Sequence, residues 1–247
     1  MLNQTEGIIL KSFNYGEHHK IIKILTPSLG VIGVFVTGAN KVGAKKSVLV
    51  EPLTLAHFNL KQTTNAGSDL YYLASGDALE YFLDLKLDYE KVSYFYYMAE
   101  IIIKGLHGGE DSAYVYRLLK KILLLADAGT SMYLLSLIFQ LKMLPVLGIE
   151  PALDCCVTCG TVERIVMLSV ALGGMVCANC KQLNEPLIID APLIPIVRAM
   201  AKVDLENFPE IELEPELLKP IEHFLESYYD SYSGLYLKSK HFLKQLK

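Results

Sequence analysis

Over the first 80 residues the apolar positions fall in short runs, at 6–13, 21–26, 31–37, 53–60 and 70–78, each rich in Ile, Val, Leu, Phe or Tyr. Asn14-Tyr15-Gly16, Pro27-Ser28-Leu29-Gly30, the glycine-bounded stretch 38–43 and the polar stretch 63–69 separate them. Apolar runs of this length between turn-formers predict β-strands. Five short strands at this spacing predict a small barrel. A five-stranded Greek-key barrel of the OB type fits the count, and an SH3-like barrel fits the same pattern.

Beyond about residue 84 the period changes to that of a helix. Val92, Phe95, Tyr96, Ala99, Ile102 and Ile103 recur at helical spacing over 91–104, and Gly105 stops the run. Asp111 or Ser112 can cap a helix over 113–128, ended by Gly129, and Thr130 or Ser131 can cap the next, to about Leu144. That helix is apolar almost all round, which predicts a place in the middle of a bundle. Asp190 is the expected cap of a helix over 191–203, Pro215 the first residue of one ending near Tyr232, and 236–245 a last, basic helix. The chain therefore reads as α+β: a barrel over 1–80 and a helical domain over 81–247.

One stretch interrupts the helices. Cys156-Val157-Thr158-Cys159-Gly160 and Cys177-Ala178-Asn179-Cys180 are two Cys-x-x-Cys pairs 17 residues apart. This is the spacing of a four-thiolate zinc site, in which two tight turns aim four sulfurs at one ion and leave no position for water. Such a closed site carries fold rather than chemistry. A redox motif would need one pair only, and a zinc deaminase would need His-x-Glu, which is absent. The competing reading is two unrelated pairs of buried cysteines. Cys155 is a surplus thiol beside a ligand, a bystander or a substitute for Cys156. The finger is expected over 150–182.

Composition narrows the class. At 52% hydrophobic and a mean hydropathy of +0.31 the 247 residues can bury a large core. The longest apolar run, 132–141, is too short to cross a bilayer. The first residues lack the basic-then-apolar order of a signal peptide. A cytoplasmic protein with no membrane contact is expected, its cysteines held by metal rather than by disulfides. The net charge of −4 argues against nucleic acid until its distribution is considered. Residues 1–62 hold seven lysines against three acids, and 204–230 hold nine acids against Lys219. The last ten residues hold four lysines and no acid.

The candidate nucleic-acid contacts follow from this. Lys11, Lys20, Lys23, Lys41, Lys45 and Lys46, with His18 and His19, lie in the barrel, and 38–47 form a glycine-containing loop suited to phosphate. Phe13, Tyr15, Phe35, Phe58, Tyr71 and Tyr72 are available for stacking. Lys238 and Lys240 form a second basic patch. The bland reading makes these lysines ordinary solvated surface and the aromatics core. The acidic stretch reads as a solvated face. No phosphate loop, nucleophile elbow or His-Glu-x-x-His motif is present, so no enzyme class has a foothold.

In the order of its pieces the chain resembles the DNA repair protein RecO family of recombination mediators. The similar segments are the opening Glu6-Gly7-Ile8-Ile9-Leu10-Lys11-Ser12-Phe13-Asn14-Tyr15-Gly16-Glu17, then Ile24-Leu25-Thr26-Pro27-Ser28-Leu29-Gly30, Gly38-Ala39-Asn40-Lys41, Gly148-Ile149-Glu150-Pro151, both cysteine pairs, and Leu237-Lys238-Ser239-Lys240-His241-Phe242-Leu243. The resemblance implies an N-terminal OB barrel, then a helical domain with an inserted finger whose zinc ligands are Cys156, Cys159, Cys177 and Cys180. It implies a function without turnover: binding single- and double-stranded DNA, annealing strands, engaging the C-terminal tail of the single-strand-binding protein SSB, and acting with RecR to load RecA, in the cytoplasm at the nucleoid. Arg117, Lys120 and Lys121 are candidates for the SSB-tail pocket. The chain departs from the family in the loop after Gly38, usually arginine-rich and here carrying lysines, which contact phosphate without a bidentate fork. The alternative is a zinc-braced protein-interaction scaffold that does not bind DNA.

Overall fold

The computed structural model describes residues 2–40, 46–62, 70–107, 109–181, 189–209, 211 and 213–246. They form two compact units, Met1–Thr130 with Leu237–Lys247, and Ser131–Tyr236.

The first unit is built on β1 (Leu2–Tyr15), β2 (His19–Thr26), β3 (Gly30–Val36), β4 (Leu55–Gln62) and β5 (Leu70–Glu80). The short helix α1 (Lys46–Leu49) lies between β3 and β4. The strands close into a barrel in the order β1-β2-β3-β5-β4. β3 and β5 run parallel and every other pair is antiparallel. This is the OB topology, and the parallel pair separates it from an all-antiparallel SH3-like barrel. β1 reaches around the barrel by pairing with β4 through its first half and with β2 through its second, bending at a bulge between Ile9 and Lys11. The strand alternation sends Ile22, Ile24, Ile32, Val34 and Val36 inward against Phe58, Leu60 and Leu73, and Leu49 and Val50 join the same core.

Three helices follow: α2 (Leu83–Leu87), α3 (Tyr89–Gly105) and α4 (Ser112–Asp127). Asp88 starts α3 by accepting from the N–H groups of Glu90 and Lys91. α4 packs on β1, β2 and β3. There the Tyr116 hydroxyl donates to Glu6, and Lys120 Nζ lies 2.9 Å from the same carboxylate.

The second unit centres on α5 (Met132–Val146), started by Ser131, whose Oγ accepts from Leu134 N. Eleven of its 15 residues are buried, as an all-round apolar helix requires. Its buried polar groups are satisfied: Ser136 Oγ donates to Tyr133 O, Gln140 Nε2 to Ser136 O, and Tyr229 OH to Gln140 O. Pro145 forfeits one hydrogen bond to Leu141 O, and the helix ends one residue later. β6 (Ile165–Ser169), β7 (Gly174–Cys177) and β8 (Ile189–Asp190) form a small sheet in the order β7-β6-β8. α6 (Ile194–Lys202) and α7 (Pro215–Tyr232) pack on α5.

Asp190 holds the expected N-cap position but not with its side chain. It pairs with Met167 as a strand residue, makes no side-chain cap bond, and is followed by a 3-10 turn, Ala191–Leu193. Pro192 removes one of the two N–H groups that a capping carboxylate can accept from, the one two residues on. The chain then returns to the first unit as α8 (Lys238–Leu246), packed on α3. Among the described residues no helix is long and apolar enough to cross a membrane.

Candidate metal centre and nucleic-acid interface

The cysteine pairs lie on two turns next to the small sheet of the second unit. Around the first turn Cys156 N donates to Thr161 O at 2.7 Å and Gly160 N to Cys156 O at 2.8 Å. Gly160 takes the left-handed φ of 74° that this turn requires. The second turn leaves the end of β7, with Cys180 N and Lys181 N both donating to Cys177 O. The Sγ atoms of Cys156, Cys159, Cys177 and Cys180 all lie within 4.8 Å of one another, and those of Cys159 and Cys177 are 3.7 Å apart. A tetrahedron with metal–sulfur bonds of about 2.3 Å has edges of about 3.8 Å, so the turns hold the sulfurs at the spacing of a metal shell.

The electrostatics agree. Burial pushes the Cys156 thiol up, but N–H groups of Cys177, Cys159 and Thr158 outweigh it and bring the group down to about 6. Its neighbours Cys159 and Cys177 push Cys180 up to about 12. Four sulfurs this close do not all ionise unless a cation lies among them. Cys155 is partly exposed and lies outside the group. The preceding Asp154 anchors the turn to α6, 2.7 Å from Lys202 Nζ and 3.7 Å from Arg198.

On the barrel, the register places Lys11, Phe13 and Tyr15 of β1 opposite Lys23, Ile21 and His19 of β2. Phe35 of β3 lies opposite Ile21, and Tyr72 of β5 opposite Phe35. This is the outward alternation. It yields a row of rings in which Tyr15 and Tyr72 each meet Phe35 edge-on at 5.5 Å and His19 lies 5.3 Å from it. Tyr15 is 57% exposed and Tyr72 43%. His19 Nδ1 accepts from Gly38 N, fixing its ring beside the row. Two of the expected stacking residues are elsewhere: Phe58 fills the barrel core and Tyr71 packs against it. Lys20 shares the alternation of Ile22 and Ile24, half-buried near the start of β2. Lys41 and Lys45 lie outside the described residues, as does the side chain of Lys46 at the start of α1.

A cleft of about 360 Å³ adjoins this face. Lys11, Lys23 and Lys238, from opposite ends of the chain, line it together with Lys104, Tyr96 and Glu100 of α3. Glu100 accepts from Ser239 N at 2.8 Å and Ser239 Oγ at 2.6 Å, and lies 2.8 Å from Lys104 Nζ. Burial raises its pKa, but Lys104 and Ser239 overcome this and hold it at about 2. Lys240 lies half-buried on α8. Sequence reasoning did not single out Glu100, Lys104 and Tyr96 as site residues. The charged pair at i and i+4, the only charges on this helix after its first turn, was the available signal. Of the three α4 cations, Lys120 is paired with Glu6, Arg117 is exposed and Lys121 half-buried.

The family described as "Recombination protein O N terminal" matches residues 1–82, and "Recombination protein O C terminal" matches 86–241. The chain is 34% identical over 251 residues to "DNA repair protein RecO" of Bacillus pumilus, covering 100% of this chain and 95% of the relative. It is 31% identical over 251 residues to the Bacillus subtilis protein of that name, covering 100% and 96%. The Listeria monocytogenes serotype 4b protein is 28% identical over 246 residues, covering 99% and 95%.

Proposed function

Because the chain belongs to the RecO family of recombination and DNA-repair proteins, we propose that it is a mediator without turnover that binds single- and double-stranded DNA through the outer face of its barrel. It would anneal complementary strands, engage the SSB tail, and act with RecR to place RecA on SSB-coated strands, in the cytoplasm at the nucleoid. The observation that carries this reading is the row of exposed rings flanked by the Lys11–Lys23 pair on β1, β2, β3 and β5. Rings stack on bases of any sequence and ammonium groups track the phosphates. The unit carrying this face has 17 basic and 13 acidic side chains, a net +4, while the second unit has 6 against 14, a net −8. The acidic average therefore conceals a basic unit, and steering depends on that local excess.

The metal we assign is zinc, held by Cys156, Cys159, Cys177 and Cys180. When bound it supplies cross-linking of two turns and no reaction. Metal analysis together with the four-sulfur charge-transfer spectrum of the cobalt-substituted protein checks this.

The direct test of function is fluorescence anisotropy with a labelled oligothymidylate across a salt series. Affinity should fall steeply with salt, with a slope of about −0.7 per phosphate bound, because condensed counterions are released. Tyr15→Ala with Tyr72→Ala should weaken binding by about tenfold or more, since each stacked base is worth about 1–3 kcal/mol. An absence of binding in dilute buffer favours the interaction scaffold instead.

A further inference from the structure

We propose that the cleft between β1, β2, α3 and the first turn of α8 seats one nucleotide of a bound strand, gripping its phosphate with lysines and setting its sugar and base against Phe13 and Tyr96. The proposal rests on the nucleic-acid reading above and deepens it, since it names a discrete seat and adds Lys104, Glu100 and Tyr96 to the interface.

The arrangement of charge comes first. Lys11 and Lys23 are direct cross-strand partners. Like charges directly opposite each other destabilise a sheet unless an anion lies between them. Lys104 from α3 and Lys238 from α8 face the same space, so three separate parts of the chain deliver ammonium groups to one cavity. Against these four stands one carboxylate, Glu100, already engaged by Lys104 and by both donors of Ser239. The cavity keeps a formal charge of +3.

The walls come second. Phe13 is 42% exposed with Lys11 Nζ 4.8 Å above its ring, and Tyr96 is 41% exposed. Ala99 and Ile103 complete an apolar side. Flat rings beside a cation suit a nucleoside better than a bare inorganic anion. At about 360 Å³ the volume is near the low end of the range of about 300–1,000 Å³ for small-ligand pockets, room for one nucleotide and not for a folded partner.

Glu100 is a positioning residue here. By holding Ser239 in the first turn of α8 it sets Lys238 at the rim of the cleft. Removing its charge should therefore weaken binding, whereas simple electrostatics would have it strengthen.

The experiment is a salt series of oligothymidylate binding to the full chain. Lys11→Gln with Lys23→Gln should weaken affinity by about tenfold and make the salt slope shallower by about 0.7 for each phosphate no longer neutralised. The melting temperature should hold or rise, because a like-charge pair is removed. Glu100→Ala should weaken binding too, while Lys91→Gln, which removes one charge near the start of α3, should not. Thymidine 5′-monophosphate should compete better than inorganic phosphate, and equal competition overturns the assignment of the rings. If the natural chain binds and the lysine variant binds equally, with the same slope, the seat is wrong and the nucleic-acid reading survives. If the natural chain does not bind at all, both fail.

Discussion

Gly174 leaves no room for a side chain. A β-carbon there would lie 2.7 Å from both Cβ and O of Ala152 and 2.9 Å from its N. The obstacle is backbone, fixed by Ala152 N donating to Gly173 O and Met175 N to Ala152 O. Gly174→Ala must therefore displace the segment that leads into Cys156. It should cost about 1–3 kcal/mol, as overpacking does, measured by urea denaturation, and, if the proposed zinc is loaded, the variant should lose it to a chelator faster. Unchanged stability would show that the 152–156 segment yields freely. At this scale the clustering of Cys156, Cys159, Cys177 and Cys180 was legible, because a turn with two intervening residues is a local property of the chain. The failure of Asp190 as a cap was not. It depends on a strand pairing with Met167, a distant residue that an isolated capping signal does not report.

At the scale of elements, β1 and α4 are joined by one carboxylate serving two donors. Burial raises the Glu6 pKa, yet Tyr116 and Lys120 together bring it below the ordinary carboxylate range, and burial and the nearby carboxylate push the Tyr116 hydroxyl well above its own. Tyr116→Phe removes the neutral donor and keeps the ring, which is buried. A hydrogen bond to a charged group is worth about 1.5–3 kcal/mol, so the barrel unit should lose about that much, read as a lower urea midpoint without a change in slope. An unchanged midpoint would mean that water replaces the hydroxyl. Element positions were largely legible: hydrophobic periodicity located five strands, and the apolar girdle of α5 announced its burial. Their partners were not. The parallel β3–β5 pair, the Glu6–Tyr116 hydrogen bond and the convergence of Lys11, Lys104 and Lys238 all join distant stretches, and periodicity reports that a face is buried without saying against what.

For the molecule as a whole, charge and the proposed metal site divide between the two units. The rings and lysine cleft of the proposed grip belong to the unit of net +4, and the four cysteines to the unit of net −8. Structural zinc in finger peptides is worth about 10–16 kcal/mol of apparent binding free energy at pH 7, which is also folding free energy for the segment that holds it. Stripping the metal, or making Cys177→Ala, should therefore lower the melting temperature of the second unit and expose its turns to protease, with cleavage mapping near 154–181. Oligothymidylate affinity, if carried by the barrel and its adjoining cleft, should change by far less than the lysine substitutions change it. The two readouts come from one sample, so the comparison is internal. Loss of oligonucleotide binding in step with loss of metal would place part of the grip on the finger and would overturn the division of labour inferred from the charges.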